Sequence, residues 1–298
     1  MVRQYKIHTN LDGTDDKVWD VTNGKVRFYQ PSNLGLQSTN NIWQSNGIGV
    51  MGTRSITQPQ IEFKLETFGE SLSENYQLMK DFVNDILSKK FVTLEYQTEI
   101  FQVYADLALA DVTKTEGYGK NGTFSEKITF DIITKWYTYE NLTFDMVQNG
   151  KVLSGKSKIY GGTAPGDYKY VKGTSYTYYG ESNIDRLSRW DIKDEIFSFM
   201  GILYPQLPKT PAGVRFLDDI GNEYTAIVFK TEQAQNYILI NTDVNDEVYQ
   251  GWNGTTSLNL FPVMDFERYR TRIIEKGQME LLNLSKAEFK IKRKADFV

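Results

Sequence analysis

The sequence predicts a mainly β protein of two domains, the first of which carries one α-helix. Three observations support this class. The chain has 298 residues, which is enough to bury a sizeable core. It contains 19 Tyr and 17 Phe but only 7 Pro, and aromatic residues favour strands. Short β-branched or aromatic runs alternate with Gly, Asn and Asp along the chain, which is typical of strands joined by turns.

The first strands are predicted near residues 5–7, 18–21 and 26–29, where short apolar runs are bounded by turn residues. The connection that follows, residues 31–58, is rich in Ser, Asn, Gln and Gly, yet it carries several large apolar residues. Connections of this length are uncommon in compact domains unless they are functional or disordered. The segment is therefore either a loop packed on its own domain or a contact with a neighbouring subunit.

A strand and a helix are predicted after this connection. Every second residue from 61 to 65 is apolar, as in a strand with one buried face. Ser71 and Glu74 have the spacing of a capping box, which marks the start of a helix. Lys89 and Lys90 stand where they would complement the helix C-terminus. The predicted buried face of the helix, at steps of three and four residues, consists of Met79, Phe82, Val83, Ile86 and Leu87.

A long β-hairpin is predicted at 91–96 and 100–111, and residues 124–132 alternate as a closing strand. Hairpin arms of this length are not stable alone, so the helix is expected to pack on the sheet that they form. The sequence therefore predicts an N-terminal β-sandwich-like domain with one α-helix and a long β-hairpin over residues 1–138. A second domain is predicted over residues 139–298.

The second domain is predicted to be a β-sandwich, galectin-like or similar to a carbohydrate-binding module, because many short strands alternate with Gly and Asn turns. Its first strand is placed in the Tyr-rich stretch 168–179. Residues 184–211 break the pattern with crowded apolar residues and then three prolines. This insert is either a core helix or an arm-like extension, since an exposed apolar patch usually marks an interface. The candidate partner-holding residues of the extension are Trp190, Ile196, Phe197, Phe199, Met200 and Leu203.

Composition excludes several classes of function. The net charge is −4 and the chain has no basic block, so we expect no nucleic acid partner. The absence of cysteine rules out disulfides, thiolate metal sites and cysteine nucleophiles. The N-terminus lacks the apolar core of a signal peptide, and no apolar run is long enough to span a bilayer. We therefore expect a protein that is not exported and not inserted into a membrane.

The sequence offers no pattern of catalytic residues. His8 is the only histidine, and no Gly-x-Ser-x-Gly motif accompanies it, so a Ser-His-Asp hydrolase is not expected. Carboxylate pairs for glycoside hydrolysis are abundant and discriminate nothing. The acidic clusters at 12–16 and 241–247 are read as solvated turns, since the second lacks the Gly and distal Glu of an EF-hand loop. We expect no enzyme, no cofactor and no metal.

Sugar binding is the alternative function from a different class. Sandwich domains bind glycans by stacking them on aromatic side chains, and Trp252 follows Gly251 in a predicted loop. The galactoside-binding motifs of galectins are absent, and a lone Trp beside a Gly turn is more often a packing residue. Trp252 is the candidate glycan-binding residue of this alternative.

Several segments carry a likeness to a known family. In the first half they are Ile61-Glu62-Phe63-Lys64-Leu65, Tyr76-Gln77-Leu78-Met79-Lys80-Asp81-Phe82, the hairpin at 94–104 and Lys135-Trp136-Tyr137. They resemble the N-terminal domain of siphophage distal tail proteins, those of lactococcal phages in particular. Residues 237–242 and Leu260-Phe261-Pro262 resemble the galectin-like C-terminal domain of the same family. The resemblance covers essentially the whole chain, through structural patterns and not through a chemical fingerprint.

The resemblance implies a structural hub of the virion tail tip, or baseplate, assembled in the host cytoplasm. It implies a homohexameric ring that joins the tail tube, made of major tail protein, to the tail-associated lysin-like protein. It also implies projections of the C-terminal domain that hold receptor-binding protein trimers. A closed ring would pair the sheet edges that long hairpin arms leave open. The candidate ring-interface residues are Trp43, Ile48, Phe101, Val103 and Tyr104.

Overall fold

The structure is a computed structural model. It describes residues 3–35, 37–57, 60–115, 124–145, 147–148, 151–152, 189–231 and 233–295. Two compact units divide the chain between Thr138 and Tyr139, and Ala295 belongs to the first unit. Strands dominate both units, and the described residues contain a single α-helix. The predicted mainly β class is therefore confirmed.

The first unit is built on an antiparallel sheet, with helix α1 over Leu72–Leu87 and a separate hairpin of two strands. Its strands are β1 Gln4–His8, β2 Val18–Asp20, β3 Val26–Ser32, β4 Gln37–Ser45, β5 Ile48–Thr57, β6 Ile61–Thr67, β7 Val92–Gln97, β8 Gln102–Thr113, β9 Ser125–Ile132 and the start of β10 Tyr137–Asp145. The sheet order is β2-β1-β7-β8-β9-β6-β3. Among the described strands, β4 and β5 pair only with each other.

The core of this unit follows the predicted alternation. In β6 each second residue is fully buried, and Phe63 stacks on Phe28 of β3 with ring centroids 4.6 Å apart. Helix α1 covers this layer through Phe82, whose ring meets the edges of Trp19 and Phe28 at 5.2 and 5.8 Å. Phe82 and Ile86 are buried and gain about 1.5–3 kcal/mol each, which supports a helix that would be only marginally stable alone.

The helix begins where the sequence predicts and ends differently. Ser71 is the N-cap, and its Oγ accepts a hydrogen bond from the amide of Glu74 at 3.2 Å. The Glu74 carboxylate accepts from the amide of Glu70, one residue before the cap. At the other end Leu87 is 63% exposed, so the predicted buried face ends at Ile86. Lys89 pairs with Asp15 at 2.7 Å, which draws its charge toward another loop.

The second unit is a sandwich of two antiparallel sheets. Its further strands are β11 Val147–Gln148, β12 Lys151–Val152, β13 Arg189–Ile192, β14 Ile196–Pro205, β15 Ala212–Leu217, β16 Glu223–Phe229, β17 Tyr237–Asn241, β18 Val248–Asn253, β19 Thr256–Asn259, β20 Gly277–Leu282 and β21 Leu284–Lys294, with a 3₁₀ turn at Phe261–Val263. One sheet has the order β19-β18-β17-β14-β21-β10, and the other has the order β13-β20-β15-β16. β11 and β12 form a separate pair. The likeness to galectins stays a prediction.

The predicted arm over 184–211 is wrong for the residues that the structure describes. Residues 189–192 and 196–205 form β13 and β14, one strand in each sheet of the sandwich. β14 is hydrogen-bonded on both sides, to β17 and to β21, and its inward residues lie in the core with Phe216 and Phe289. The crowded apolar residues are therefore a central strand. Residues 184–188 lie outside the described chain.

Residues 270–275, whose sequence also predicts a strand, form none, and only Ile274 makes an isolated bridge there, to Ile196. The predicted strand in the Tyr-rich stretch 168–179 lies outside the described residues. In the part of the chain that the structure describes, no helix combines the length and the apolar composition needed to cross a membrane.

Candidate functional site

The segment predicted as a long connection is a regular β-hairpin. Asn46 and Gly47 stand at its tip with φ of 50° and 79°. Two successive residues with positive φ are typical of a type I′ turn, whose twist matches that of the flanking strands. Ile48 then pairs with Ser45, and Val50 pairs with Trp43. The Asn46-Gly47 dipeptide is the sequence signal that identifies this hairpin.

The hairpin exposes large apolar side chains on both faces. Its described side chains from 38 to 55 are all exposed, including Trp43 at 68% and Ile48 at 70%. Because residues directly opposite in an antiparallel pair share a face, Trp43, Ile48 and Val50 form one face. Ile42 and Met51, which also pair, form the other. Neither face is covered by the described chain.

The Trp43 indole packs against the backbone of its own hairpin. It lies over Gly52, where an added Cβ would come within 3.1 Å of the indole Nε1 and 3.2 Å of the Asn41 carbonyl oxygen. A side chain at position 52 would press on the ring, so glycine at this position leaves room for the indole.

The hairpin also lacks the devices that keep free strands apart. Edge strands are normally protected by Lys, by Pro, by inward charges or by a covering element. From residue 37 to residue 57 the sequence has no Lys, Asp, Glu or Pro, and Arg54 is its only charged residue. The strands have 9 and 10 residues, and a two-stranded hairpin alone is marginally stable in water. Such a hairpin is suited to binding another polypeptide.

The other predicted ring-interface residues lie elsewhere in the first unit. Val103 is 4% exposed within its own core, so it offers no surface to a neighbour and is a wrong candidate. Phe101 is partly exposed and packs edge-on against Tyr96 at 5.5 Å. Tyr104 is half-buried and stacks on Tyr137 at 5.8 Å. Burial, and then the charges of Glu95 and Asp12, raise the pKa of Tyr104 to about 12, so its phenol stays neutral.

The predicted partner-holding residues separate into two groups. Ile196, Phe199 and Leu203 are buried in the core of the second unit, and they are wrong candidates because no partner reaches them. Phe197 and Met200 are half-buried. Trp190 is placed only by its backbone, which pairs with Met279.

Met200 lines a shallow groove of ≈ 500 Å³ on the outer face of the sheet that contains β14. Side chains at alternate positions of neighbouring strands form its apolar floor, and polar residues surround it. Its lining includes Met200, Ile202, Leu239, Val248, Asn141, Asp246, Glu288 and Lys290. The groove is a candidate surface for protein contact in the second unit.

The glycan candidate Trp252 lies in a strand and not in the predicted loop. It belongs to β18 and pairs with Tyr237 of β17. The two rings stack with centroids 5.9 Å apart and planes 19° apart, and Tyr237 in turn lies 6.4 Å from Tyr204. The indole Nε1 is buried. Because the rings of Trp252 and Tyr237 stack on each other, one face of each ring is covered and is not available to a sugar. This arrangement does not favour sugar binding at Trp252.

The only histidine has a structural position. His8 is buried, with Nδ1 2.6 Å from the Asp16 carboxylate and Nε2 2.8 Å from the Glu95 carboxylate. Both ring nitrogens are therefore engaged, and neither faces an open site. Lys6 binds the second oxygen of Glu95 at 3.0 Å. Among the described residues no group of three or more His, Asp or Glu side chains is arranged to hold a metal ion.

Comparisons with known proteins agree with the two-unit division. A family model described as the N-terminal domain of distal tail proteins matches residues 4–133, and one described as the C-terminal domain of Dit matches residues 135–298. The distal tail protein of Lactococcus phage p2 is 94% identical over 298 residues, all of both chains.

Two solved structures are similar over nearly the whole chain. A chain in the structure of the phage p2 baseplate in its activated conformation with Ca is 92% identical, with a TM-score of 0.79 and full coverage of both chains. The crystal structure of SPP1 Dit, described as a paradigm of the hub adsorption apparatus in phages that infect Gram-positive hosts, is 8% identical. Its TM-score is 0.53, and the match covers 99% of this chain and 100% of that one. At that identity the likeness concerns the fold alone.

Proposed function

Because this chain belongs to the distal tail protein family, we propose that it is the structural hub of a phage tail tip, closed into a homohexameric ring by its first unit. The family is one of structural tail proteins and not of enzymes. In this role the ring connects the tail tube, built of major tail protein, with the tail-associated lysin-like protein. The second unit holds receptor-binding protein trimers at the baseplate.

The exposed hairpin Gln37–Thr57 is the observation that carries this proposal. A cyclic assembly of identical chains needs a surface on each copy that fits a different surface on the next copy. A hairpin with two apolar faces, open edges and a single charge is such a surface. Each large side chain that a neighbour fully covers contributes about 1.5–3 kcal/mol, which offsets part of the entropy of association.

Because β14 is a buried core strand, the surface proposed to bind receptor-binding proteins must lie elsewhere than on its inward residues. Ile196, Phe199 and Leu203 belong to the interior, so a contact in this region uses the outer face of the same sheet. The groove with the Met200, Ile202 and Leu239 floor supplies apolar surface with a polar rim, which is the composition of ordinary protein interfaces. We assign the second-unit contact to this groove.

Light scattering coupled to size-exclusion chromatography tests the ring directly. We expect the full chain to elute with the mass of six chains of 34.4 kDa and to form annular particles in negative-stain images. A strictly monomeric species over the concentration range used for assembly would contradict the proposal.

The groove has its own test. Met200→Lys places a charge on the apolar floor, and we expect it to prevent co-purification with a co-expressed receptor-binding protein while the ring is kept. Leu258→Lys, an exposed position on another strand of the same sheet, is the matched control. Retained binding by the Met200 variant would remove the groove from the proposed function.

A further inference from the structure

A ring of identical chains needs a surface that receives the hairpin, and the first unit has a second exposed apolar surface. Its members lie on β3, directly after β6 and on the first turns of α1. Tyr29 and Phe68 are in contact, with ring centroids 6.3 Å apart, and the Arg27 guanidinium lies 4.5 Å from the centre of the Phe68 ring. We name the surface formed by Tyr29, Phe68, Leu72 and Tyr76 the helix patch.

The helix patch continues along the first turns of α1. Leu72 and Tyr76 are four residues apart and therefore share one face of the helix, and Tyr76 is 61% exposed. The Tyr76 ring lies 6.4 Å from that of Phe124, whose backbone pairs with Thr67, the residue before Phe68. Phe68 is also next to Gly69, whose amide donates to Asn75 Oδ1 at 2.6 Å, so the two ring pairs lie at the same end of α1. Clustered exposed apolar side chains of this kind mark an interaction site.

We propose that the helix patch of each copy receives the hairpin of the next copy around the ring, with Arg54 of the hairpin paired to Glu70 beside the patch. This inference rests on the proposed function, because it names the second half of the ring contact. Apolar faces then meet apolar faces, and one cation meets one anion. Both surfaces lie in the first unit, so a ring formed by this unit alone is complete.

Arg54 of the hairpin and Glu70 beside the patch carry opposite charges, and the Arg27 guanidinium is turned onto the Phe68 ring and the Gly24 carbonyl oxygen. Within the described chain the Arg54 side chain binds only neutral groups, the Asn40 amide oxygen at 3.0 Å and the Met51 sulfur at 3.9 Å. At the edge of the patch Glu74 is paired with Lys25, and Glu66 is paired with Lys64. Glu70 is exposed, and among the described cations the Lys25 charge acts on it only from beyond ion-pair distance. Opposite charges at an interface fix the register of the two surfaces more than they add affinity.

Other exposed apolar residues of the first unit do not form a comparable surface. Ile100 stands at the tip of the β7–β8 turn, and its neighbour Phe101 turns back onto Tyr96. Leu87 is exposed at the end of α1. Single exposed apolar side chains are normal on protein surfaces and need no partner. Ile100 therefore provides a matched control for the helix patch.

Cross-linking tests the contact without background, because the chain has no cysteine. In the variant with Ile48→Cys and Tyr76→Cys, a short bismaleimide is expected to join neighbouring copies. Denaturing gels would then show a ladder that ends at six chains. The control with Ile48→Cys and Ile100→Cys is expected to stay monomeric on the same gel.

The two possible failures are distinguishable, because the mass of the native particle is measured in parallel. A particle of six chains that cross-links through position 100 and not through position 76 would overturn the helix patch and leave the ring intact. A chain that forms no particle would instead overturn the proposed function and this inference together. Circular dichroism confirms that the variants, all at exposed positions, remain folded.

A charge exchange tests the ion pair separately. Arg54→Glu and Glu70→Arg each place like charges in the contact, and we expect each to raise the concentration at which half the rings dissociate by about tenfold. The double variant restores opposite charges and should return toward the wild-type value. A double variant as weak as the product of the two single effects would contradict the pairing of Arg54 with Glu70.

Discussion

The hairpin Gln37–Thr57 and the strand β14 look alike in the sequence and differ completely in the structure. Both carry more large apolar residues than a surface loop needs, and both were candidates for partner contact. β14 has strands on both sides and core against its inner face. The hairpin pairs with no other strand of the described chain, and both its faces are exposed. An excess of apolar side chains in a segment shows that some surface must cover them. Only the strand pairing in the structure shows whether the same chain provides that surface.

The two segments therefore predict opposite responses to substitution. A substitution at a core position of β14 lowers the stability of its own unit, because it leaves a cavity or an unpaired charge inside. An exposed hairpin position leaves the isolated fold almost unchanged and alters association.

The largest expected effect comes from a charge placed in the core beneath α1. Phe82→Asp puts an unpaired carboxylate at a fully buried position between Trp19 and Phe28, and we expect it to unfold the first unit. Leu87→Asp, five residues on at an exposed position, is the matched control and should fold normally. Near-ultraviolet circular dichroism reports both. A folded Phe82→Asp protein that still forms rings would show that this face is assigned wrongly.

The next largest effect is expected when one aromatic residue in each segment is replaced by Ala. Phe199→Ala removes a core ring that contacts Phe216 and Phe289, and we expect a loss of about 3–5 kcal/mol in the unfolding free energy of the second unit. Trp43→Ala, in the hairpin, should change the unfolding free energy of the dissociated chain by less than about 0.5 kcal/mol. Urea unfolding followed by circular dichroism measures both. Equal losses would remove the contrast between the two segments.

Acid sensitivity is expected in the packed part of the first unit and not in the hairpin. Burial opposes the ionisation of Glu95, but hydrogen bonds from His8 and Lys6, together with their charges, outweigh it and lower the pKa of Glu95 below its ordinary value. The stability that the ionised Glu95 carboxylate gives to the folded unit is therefore fully present above the ordinary glutamate pKa of about 4.3. It is lost as the pH falls through the lower pKa of the folded state.

Glu95→Gln tests this assignment. At pH 7 the substitution should cost about 1.5–3 kcal/mol, the usual contribution of hydrogen bonds to a charged group. Its urea midpoint should then fall less than that of the wild type between pH 5 and pH 3, a range that brackets the ordinary glutamate pKa of about 4.3. Parallel curves for the two proteins would show that this carboxylate is not the acid-sensitive group.

The smallest effect concerns the turns. Gly47 and Gly254 both have positive φ, at 79° and 68°, with open space where a Cβ would lie. Replacement of either by Ala costs about 1 kcal/mol from backbone strain. The β18–β19 turn is held by the sheet, whereas the hairpin depends on its turn for register. Amide hydrogen exchange should therefore accelerate along β4 and β5 in Gly47→Ala more than along β18 in Gly254→Ala, and equal acceleration would contradict this difference.

Local rules predicted the first unit well. The alternation in β6 and the Ser71 cap follow from spacing alone, and both are present. The sequence did not predict the end of the helix face at Leu87, because exposure there depends on where the sheet beneath the helix ends. It also did not predict that Lys89 binds Asp15, a contact between residues far apart in the chain.

The second unit shows why β14 was misread. The burial of β14 alternates only from Phe199 onward, after a register shift between Ile196 and Ser198. Its outward residues Phe197, Met200 and Ile202 are apolar as well, so the sequence has no visible period of two. In the hairpin the opposite problem occurs. Its strands are rich in Ser, Thr, Asn and Gln, which suggested a loop, although Asn46-Gly47 marked the turn. Composition alone does not show, for either segment, which of its side chains are covered by the rest of the chain.

The most direct test of the account is the native mass of a variant whose hairpin face is charged. In Ile48→Lys with Val50→Lys we expect a folded monomer, while the wild type has the mass of six chains. Ile220→Lys, at a position that is 84% exposed in the second unit, is the control and should retain the wild-type mass. A hairpin variant that still assembles into six-chain particles at the wild-type concentration would contradict the claim that this hairpin closes the ring.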